Sequence, residues 1–267
     1  MNPKIKQPSG KFTSVRTKVC RDVASAIQKE WKEENSLGGY ASSTILCAHT
    51  KRDHGLLVVP WGKPDSHAVL LSNLEETLHV GDKSFPLSTH LYSDTIYPKG
   101  YEHLENFYLA PNPIWIYRID QWALMKAIVM IPDEHTVFIR YQFLSSYGDY
   151  VRLELRPVVA FRQTSQLNRE NQSHVPAAAF GRHHVYFKPQ KSFPELFLYH
   201  NAAVTDRSER WFRHLNYPED KRQGVGGHEE DLYSPCSMTY AFLKEEGVFL
   251  CATTQAKSGP QSGSLKA

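Results

Sequence analysis

The sequence has no CxxC pair, and its four cysteines, Cys20, Cys47, Cys236 and Cys251, stand far apart. Two disulfides are possible on count, but this spacing does not form the staple framework of a secreted scaffold, so reduced thiols in a cytoplasmic protein are expected. No apolar run approaches the ~18 residues that a membrane-spanning helix needs. The N-terminal MNPKIKQPSGKF is basic but lacks the apolar core of a signal peptide, so a soluble chain without a membrane partner is expected. Charge of one sign is also scarce. The net charge is +3 with scattered basic residues, which carries no nucleic-acid footprint. Nucleophile elbows of the GxSxG type are missing, as are the phosphate-cradling GxGxxG and GxxxxGK[ST] patterns. Neither HExxH nor a DxDxDG loop occurs, so no metal and no cofactor are expected. Internal repeats at a solenoid or propeller period are absent too.

What remains is an ordinary globular composition, 41% hydrophobic and 22% charged over 267 residues, long enough to bury a core without disulfides or metals. Val15, Val19, Val23, Ile27 and Trp31 recur every fourth residue and predict a helix ending near Lys29. From residue 40 the period becomes two. Val137, Ile139, Tyr141 and Phe143 alternate with Phe138, Arg140 and Gln142, and Val151, Leu153 and Leu155 alternate with Arg152, Glu154 and Arg156. Further strand-like runs cover 45–49, 55–59, 68–71, 76–80, 114–120, 124–131, 184–188, 195–200, 239–243 and 248–253, and Gly81-Asp82-Lys83 reads as a hairpin turn. About a dozen short strands with little helix predict an all-β sandwich of unusual size. Residues 206–231 are charged, aromatic and poor in strand formers, and read as a helix followed by a glycine-rich loop. The division expected is a flexible leader over 1–12, one domain over 13–254 and a flexible tail over 255–267.

Three clusters carry candidate chemistry. In 35–58, NSLGGYASSTILCAHTKRDHGLLV, a glycine pair permits positive φ and close backbone approach. Gly38, Gly39 and Tyr40 are followed by Arg52, a five-donor fork, and His54, a donor and an acceptor. Such groups suit a hydroxyl-rich ligand, and a tight turn with a buried structural Arg-His network is the plainer alternative. In LNREN, Arg169, Glu170 and Asn171 share what is otherwise an ordinary solvated loop. In GVGGHEEDL, Glu230 and Asp231 are candidate acceptors, and the run with His228 and Glu229 lacks metal-ligand spacing. Paired carboxylates are what glycoside chemistry requires, though these residues are common. His183-His184 read as strand-end surface residues. Trp115, Trp122 and Trp211 read as core or ridge, with one of them, or Tyr40, able to stack on a sugar ring.

Taken in order, EWKEENSLGGYASST, TKRDHGLLV, VLLSNLEETL, YPKGYEHLENF, VRLELRPVVAFRQ, LNREN and EEDLYSP resemble the N-terminal domain of bacterial and archaeal type glycogen debranching enzymes, from about Val19 to Thr254. The resemblance implies a two-sheet β-supersandwich of the glucoamylase N-domain and galactose mutarotase-like kind. In the family this domain packs on an α/α barrel that removes α-1,6-linked glucose and supplies the acid and base carboxylates. Four positions depart from the pattern. Ser36 replaces the first glycine, Lys51 and Asp53 alter the Thr-Arg-Arg-Tyr-His-Gly run, and Cys236 ends Ser-Pro-Gly. Asp53 removes an aromatic face.

The resemblance therefore implies a domain that binds α-glucan (glycogen, maltooligosaccharides) and supports a catalytic barrel without cutting the substrate itself. Its expected contacts are Gly38, Gly39, Tyr40, Arg52, His54, Arg169, Glu170, Asn171, Glu230 and Asp231, with no catalytic residue among them. Two alternatives stand beside it. One is an interaction module for a separately encoded α/α-barrel chain. The other is a stand-alone sugar epimerase or mutarotase-like enzyme, pairing His54 with Glu170 or Glu230 for proton transfer.

Overall fold

A computed structural model describes residues 14–145, 150–170, 177–188, 193–242 and 247–256. Two antiparallel sheets of nine and ten strands dominate it, with a two-stranded ribbon, Thr89–Leu91 with Ile96–Lys99, beside them. The alternation in 137–143 and 151–155 is what builds them. Val137, Ile139, Tyr141 and Phe143 point inward from the strand Thr136–Phe143 of the first sheet. Val151, Leu153 and Leu155 do so from Val151–Gln163 of the second. The inward faces meet in one continuous core that runs from Val15 to Ala252. Trp31 of one sheet meets Trp115 of the other edge-on, with ring centroids 5.3 Å apart. The buried Trp115 indole donates to the Ile45 carbonyl at 2.7 Å, so its polar edge is satisfied inside the core. The fold is thus a large all-β sandwich.

Several local expectations are corrected. The predicted helix over 15–29 is instead a short strand, Ser14–Arg16, and two single-turn helices, Thr17–Cys20 and Val23–Ala26. Val15 pairs with Phe107, and the Thr17 hydroxyl donates to the Glu105 carbonyl, so cross-strand bonds override the fourfold spacing. Trp31 belongs to the strand Glu30–Glu34, where its indole donates to Thr44 O at 3.0 Å. Residues 45–49 form a turn rather than a strand, with Cys47 at φ 52° and the Thr44 hydroxyl closing on Ala48 O. The runs 68–71 and 76–80 are one strand, His67–Val80, that pairs with Val151–Gln163 along most of its length. In 206–231, Arg210–Asn216 is a strand paired with Glu229–Ser234, and only Pro218–Arg222 is helical before the glycine-rich loop. The turn after Val80 forms as read, with Gly81 at φ 57° and Val80 paired to Lys83. The expected leader and the expected tail from 257 onward lie outside the described residues.

This hairpin, Arg210–Asn216 with Glu229–Ser234, lies over the second sheet. Phe212, Leu215 and Leu232 join Tyr40, Val58, Val69, Val158 and Ala160 in a smaller apolar cluster. The four cysteines are buried free thiols.

A buried charge sits inside the main core. Lys126, 0% exposed, lies 2.6 Å from Glu76, which also accepts the Tyr141 hydroxyl. Buried charges persist only when paired, and stripping one partner leaves the other uncompensated. Replacement of Lys126 by Ala is therefore expected to cost about 3–5 kcal/mol in chemical denaturation. Lys63→Ala, at an exposed position, stays within about 0.5 kcal/mol of the parent.

Candidate functional site

The glycine pair forms a hairpin turn between Glu30–Glu34 and Tyr40–Thr44. The Asn35 carboxamide oxygen accepts the N–H groups of Leu37 at 3.0 Å and Gly39 at 2.7 Å. Gly38 has φ +80°, and a Cβ on Gly39 would sit 2.7 Å from His135 Nδ1, so both glycines are needed for the backbone. Ser36, the departure from the family pattern, donates its hydroxyl to Pro132 O and Asp133 and ties the turn to the neighbouring loop. Tyr40 is 8% exposed. Its hydroxyl donates to Asp53 O, Lys32 Nζ lies 4.4 Å from its ring centroid, and His67 packs beside it. The Tyr40 ring is occupied by the protein's own neighbours rather than offered as a stacking face.

Arg52 and Glu230 are the centres of a buried polar network. The Arg52 guanidinium donates to Asp220 at 2.7 Å, to the carbonyls of Gly226 and Gly227, and to Ser165 O. Glu230, wholly buried, forms a two-pronged ion pair with Arg162, and accepts the Tyr217 hydroxyl and the Asn168 N–H. Arg162 also donates to the Arg52 carbonyl at 2.8 Å, linking the two centres. This arrangement satisfies buried charge with directed donors and acceptors. It also anchors three loops, 50–54, 164–170 and 224–228, to one point. His54 is 3% exposed, and its Nδ1 accepts the Thr50 N–H. Burial, followed by the nearby Lys51 charge, depresses its pKa to about 3. Arg52, His54 and Glu230 therefore act within the protein, as the plainer reading of the 35–58 cluster held for Arg52 and His54.

The same anchor carries a group around an open pocket of about 450 Å³, lined by the exposed His214, the half-buried Arg169, Glu170 and Glu229, and the buried Asp231. Asp231 accepts the Glu170 N–H at 3.1 Å and the His214 N–H at 2.9 Å, so it fixes both walls. His214 sits at φ +59° in a bulge where the pairing of the two hairpin strands shifts register. A bulge of this kind re-aims a side chain out of the pleat. The imidazole lies 3.6 Å from Glu229, which the Ser93 hydroxyl also contacts at 2.7 Å. Glu170 is ion-paired with Arg213, and Arg169 Nη1 stands 3.9 Å from Asp231. Asn171 lies outside the described residues.

Of the residues weighed from sequence, Arg169, Glu170 and Asp231 lie at this pocket; His214 and Arg213 were not among them, because their placement follows from a bulge that no local pattern announces. The Ser93 hydrogen bond, ahead of the Arg169 and His214 charges, holds the Glu229 carboxyl below the usual carboxylate range. A general acid needs the opposite shift. Among the described residues no set of three His, Cys, Asp or Glu side chains is arranged to hold a metal ion.

The geometry defines a β-sandwich whose buried ionic anchor displays a pocket of mixed donors and acceptors. The sequence matches the family described as "Glycogen debranching enzyme N terminal" over residues 29–249, and the chain belongs to that family. Comparison with curated proteins finds no match. Among solved structures, a bacterial glucoamylase complexed with acarbose is similar at a TM-score of 0.44 and 8% identity. That likeness covers 94% of this chain and 34% of the glucoamylase, so the chain spans about a third of that protein's length.

Two outcomes follow from this site. Glu230→Ala removes the acceptor of several buried donors and is expected to destabilise by about 3–5 kcal/mol. Hydrogen exchange then rises in 164–170 before the rest of the sandwich. The second concerns pH. The His54 pKa lies below its ordinary 6.5, so the unfolded chain takes up that proton first as the solution is acidified. The stability linked to His54 is complete above pH 6.5 and is lost as pH falls towards about 3. Melting curves of His54→Gln should lack that part of the acid slope.

Proposed function

We propose that this domain binds α-glucan and supports the catalytic barrel of a debranching enzyme, without being catalytic itself. The observation that carries the reading is the pocket bounded by Arg169, Glu170, His214, Glu229 and Asp231. It combines cationic donors with carboxylate acceptors, the pattern that neutral hydroxyl-rich ligands require. Arg169 and His214 donate to sugar hydroxyls, and Glu170, Glu229 and Asp231 accept from them. Membership of the debranching N-terminal family supports α-glucan as the polymer. Among the described residues no helix is long and apolar enough to cross a membrane. We place the protein in the cytoplasm, where its buried thiols stay reduced.

The supporting role has its own observation. The outward face of the nine-stranded sheet carries half-exposed apolar residues on adjacent strands. Ile116 lies opposite Met125 and Val129 opposite Phe138, while Phe138 stacks on Phe249 and Tyr186 on Phe197. Apolar residues grouped in this way suit burial against a larger partner. An α/α barrel, in the same polypeptide or in another, is the partner that the family supports. The epimerase alternative, His54 with Glu170 or Glu230, is disfavoured because His54 is buried, Glu230 is buried and held by Arg162, and Glu170 is ion-paired with Arg213.

Titration with maltooligosaccharides tests the binding role. Saturable binding is expected, weakened roughly tenfold in Arg169→Ala or His214→Ala with unchanged melting temperature, on the scale of one charged hydrogen bond. No detectable binding, alone or with a barrel partner present, defeats the glucan reading.

A further inference from the structure

A second groove lies further along the same hairpin, and the sequence reading had left its tryptophan unassigned between core and sugar stacking. It encloses about 410 Å³ and is lined by Phe180, Arg207, Glu209, Trp211 and Tyr233. Phe180 ends Ala177–Phe180, the outermost strand of the nine-stranded sheet. Trp211 and Tyr233 are a cross-strand pair of the hairpin on the other sheet, with ring centroids 5.3 Å apart and planes tilted by 54°. Arg207 and Glu209 come from the link between Val204–Asp206 and Arg210–Asn216. The groove therefore opens between the edges of the two sheets.

Of the three tryptophans weighed from sequence, this is the one that lines such a groove. Trp115 is 0% and Trp122 8% exposed, whereas Trp211 is half-buried. Its inner edge packs on the main core, which holds the indole in place. The Arg207 guanidinium lies over the Phe180 ring, 4.6 Å from its centroid, and the Glu209 carboxylate stands near the Tyr233 hydroxyl. Three rings thus frame one guanidinium and one carboxylate whose charges cancel. Such a lining disfavours a charged ligand and suits a neutral ring with an apolar face and a polar rim, which is the chemistry of a hexose. The volume falls within the range of small-molecule sites.

The strand Glu229–Ser234 connects this groove to the pocket already described. Alternation places Glu229, Asp231 and Tyr233 on one face of it, so the two openings follow each other along the hairpin. From Asp231 to Tyr233 is roughly 7 Å along the strand. We propose that the Phe180–Trp211–Tyr233 groove is a second sugar subsite, and that one α-glucan chain runs along the hairpin through both. This inference rests on the glucan-binding reading and specifies where the polymer continues.

The test uses the chain as it stands, with maltoheptaose as the probe. The indole N–H signal of Trp211, assigned by its loss in Trp211→Phe, is followed by NMR during titration. The expected result is a saturable shift of that signal, with affinity falling roughly tenfold in Trp211→Ala and severalfold in Arg207→Ala. Arg207 is exposed, so its variant carries the test if Trp211→Ala does not fold. Binding of maltoheptaose with the Trp211 signal unmoved and both variants unaffected overturns the second subsite and leaves glucan binding intact. Absence of saturable binding by the parent chain overturns the glucan reading, and the subsite with it.

Discussion

Arg162 and Glu230 form a fully buried ion pair on which the display of the candidate site depends. Neither charge is tolerable in an apolar interior alone, and together they use up each other's strongest bonding directions. Glu230 has capacity left over for Tyr217 and the Asn168 backbone, while Arg162 reaches the Arg52 carbonyl. Arg52 then extends the network to Asp220 and the glycine-rich loop. Loops that are distant in sequence are held by directed bonds rather than by apolar packing, which is weakest at a wet edge. The geometry that results is specific, because each donor has a fixed angle.

Residues of similar type end up with opposite duties around this anchor. Glu230 and Asp231 are neighbours, yet a strand turns them to opposite faces. Glu230 supports the fold from below, and Asp231 fixes the pocket walls by accepting the backbone N–H groups of Glu170 and His214. Arg52 and Arg169 divide in the same way between interior and rim. The function proposed here, binding without catalysis, accords with this division. The interior charges are held by each other, and at the pocket Glu229 is kept ionised and Glu170 ion-paired.

Much of the architecture could be read from the chain. Period-two alternation located the strands around 137–143 and 151–155, and the Gly81 turn was visible as such. The fourfold apolar spacing from Val15 to Trp31 misled, because it spans residues that pair with Leu104–Tyr108 or enter a different strand. Spacing reports that one side of a segment is apolar. It does not report whether a neighbouring strand offers backbone partners, and here one does. The strand Arg210–Asn216 was hidden for a related reason, since its exposed side is rich in charge and its bulge at His214 breaks the alternation.

What the sequence determined by itself was the class of fold, the family and the set of polar residues worth weighing, because alternation, turn glycines and ordered motifs are local properties. The tertiary structure alone decided which of those residues face solvent. Arg162 meets Glu230 across 68 residues and Arg52 meets Asp220 across 168, and a side chain so paired is withdrawn from any ligand. Burial of a charge is a property of its partner's position, and that position exists only after the sheets have closed.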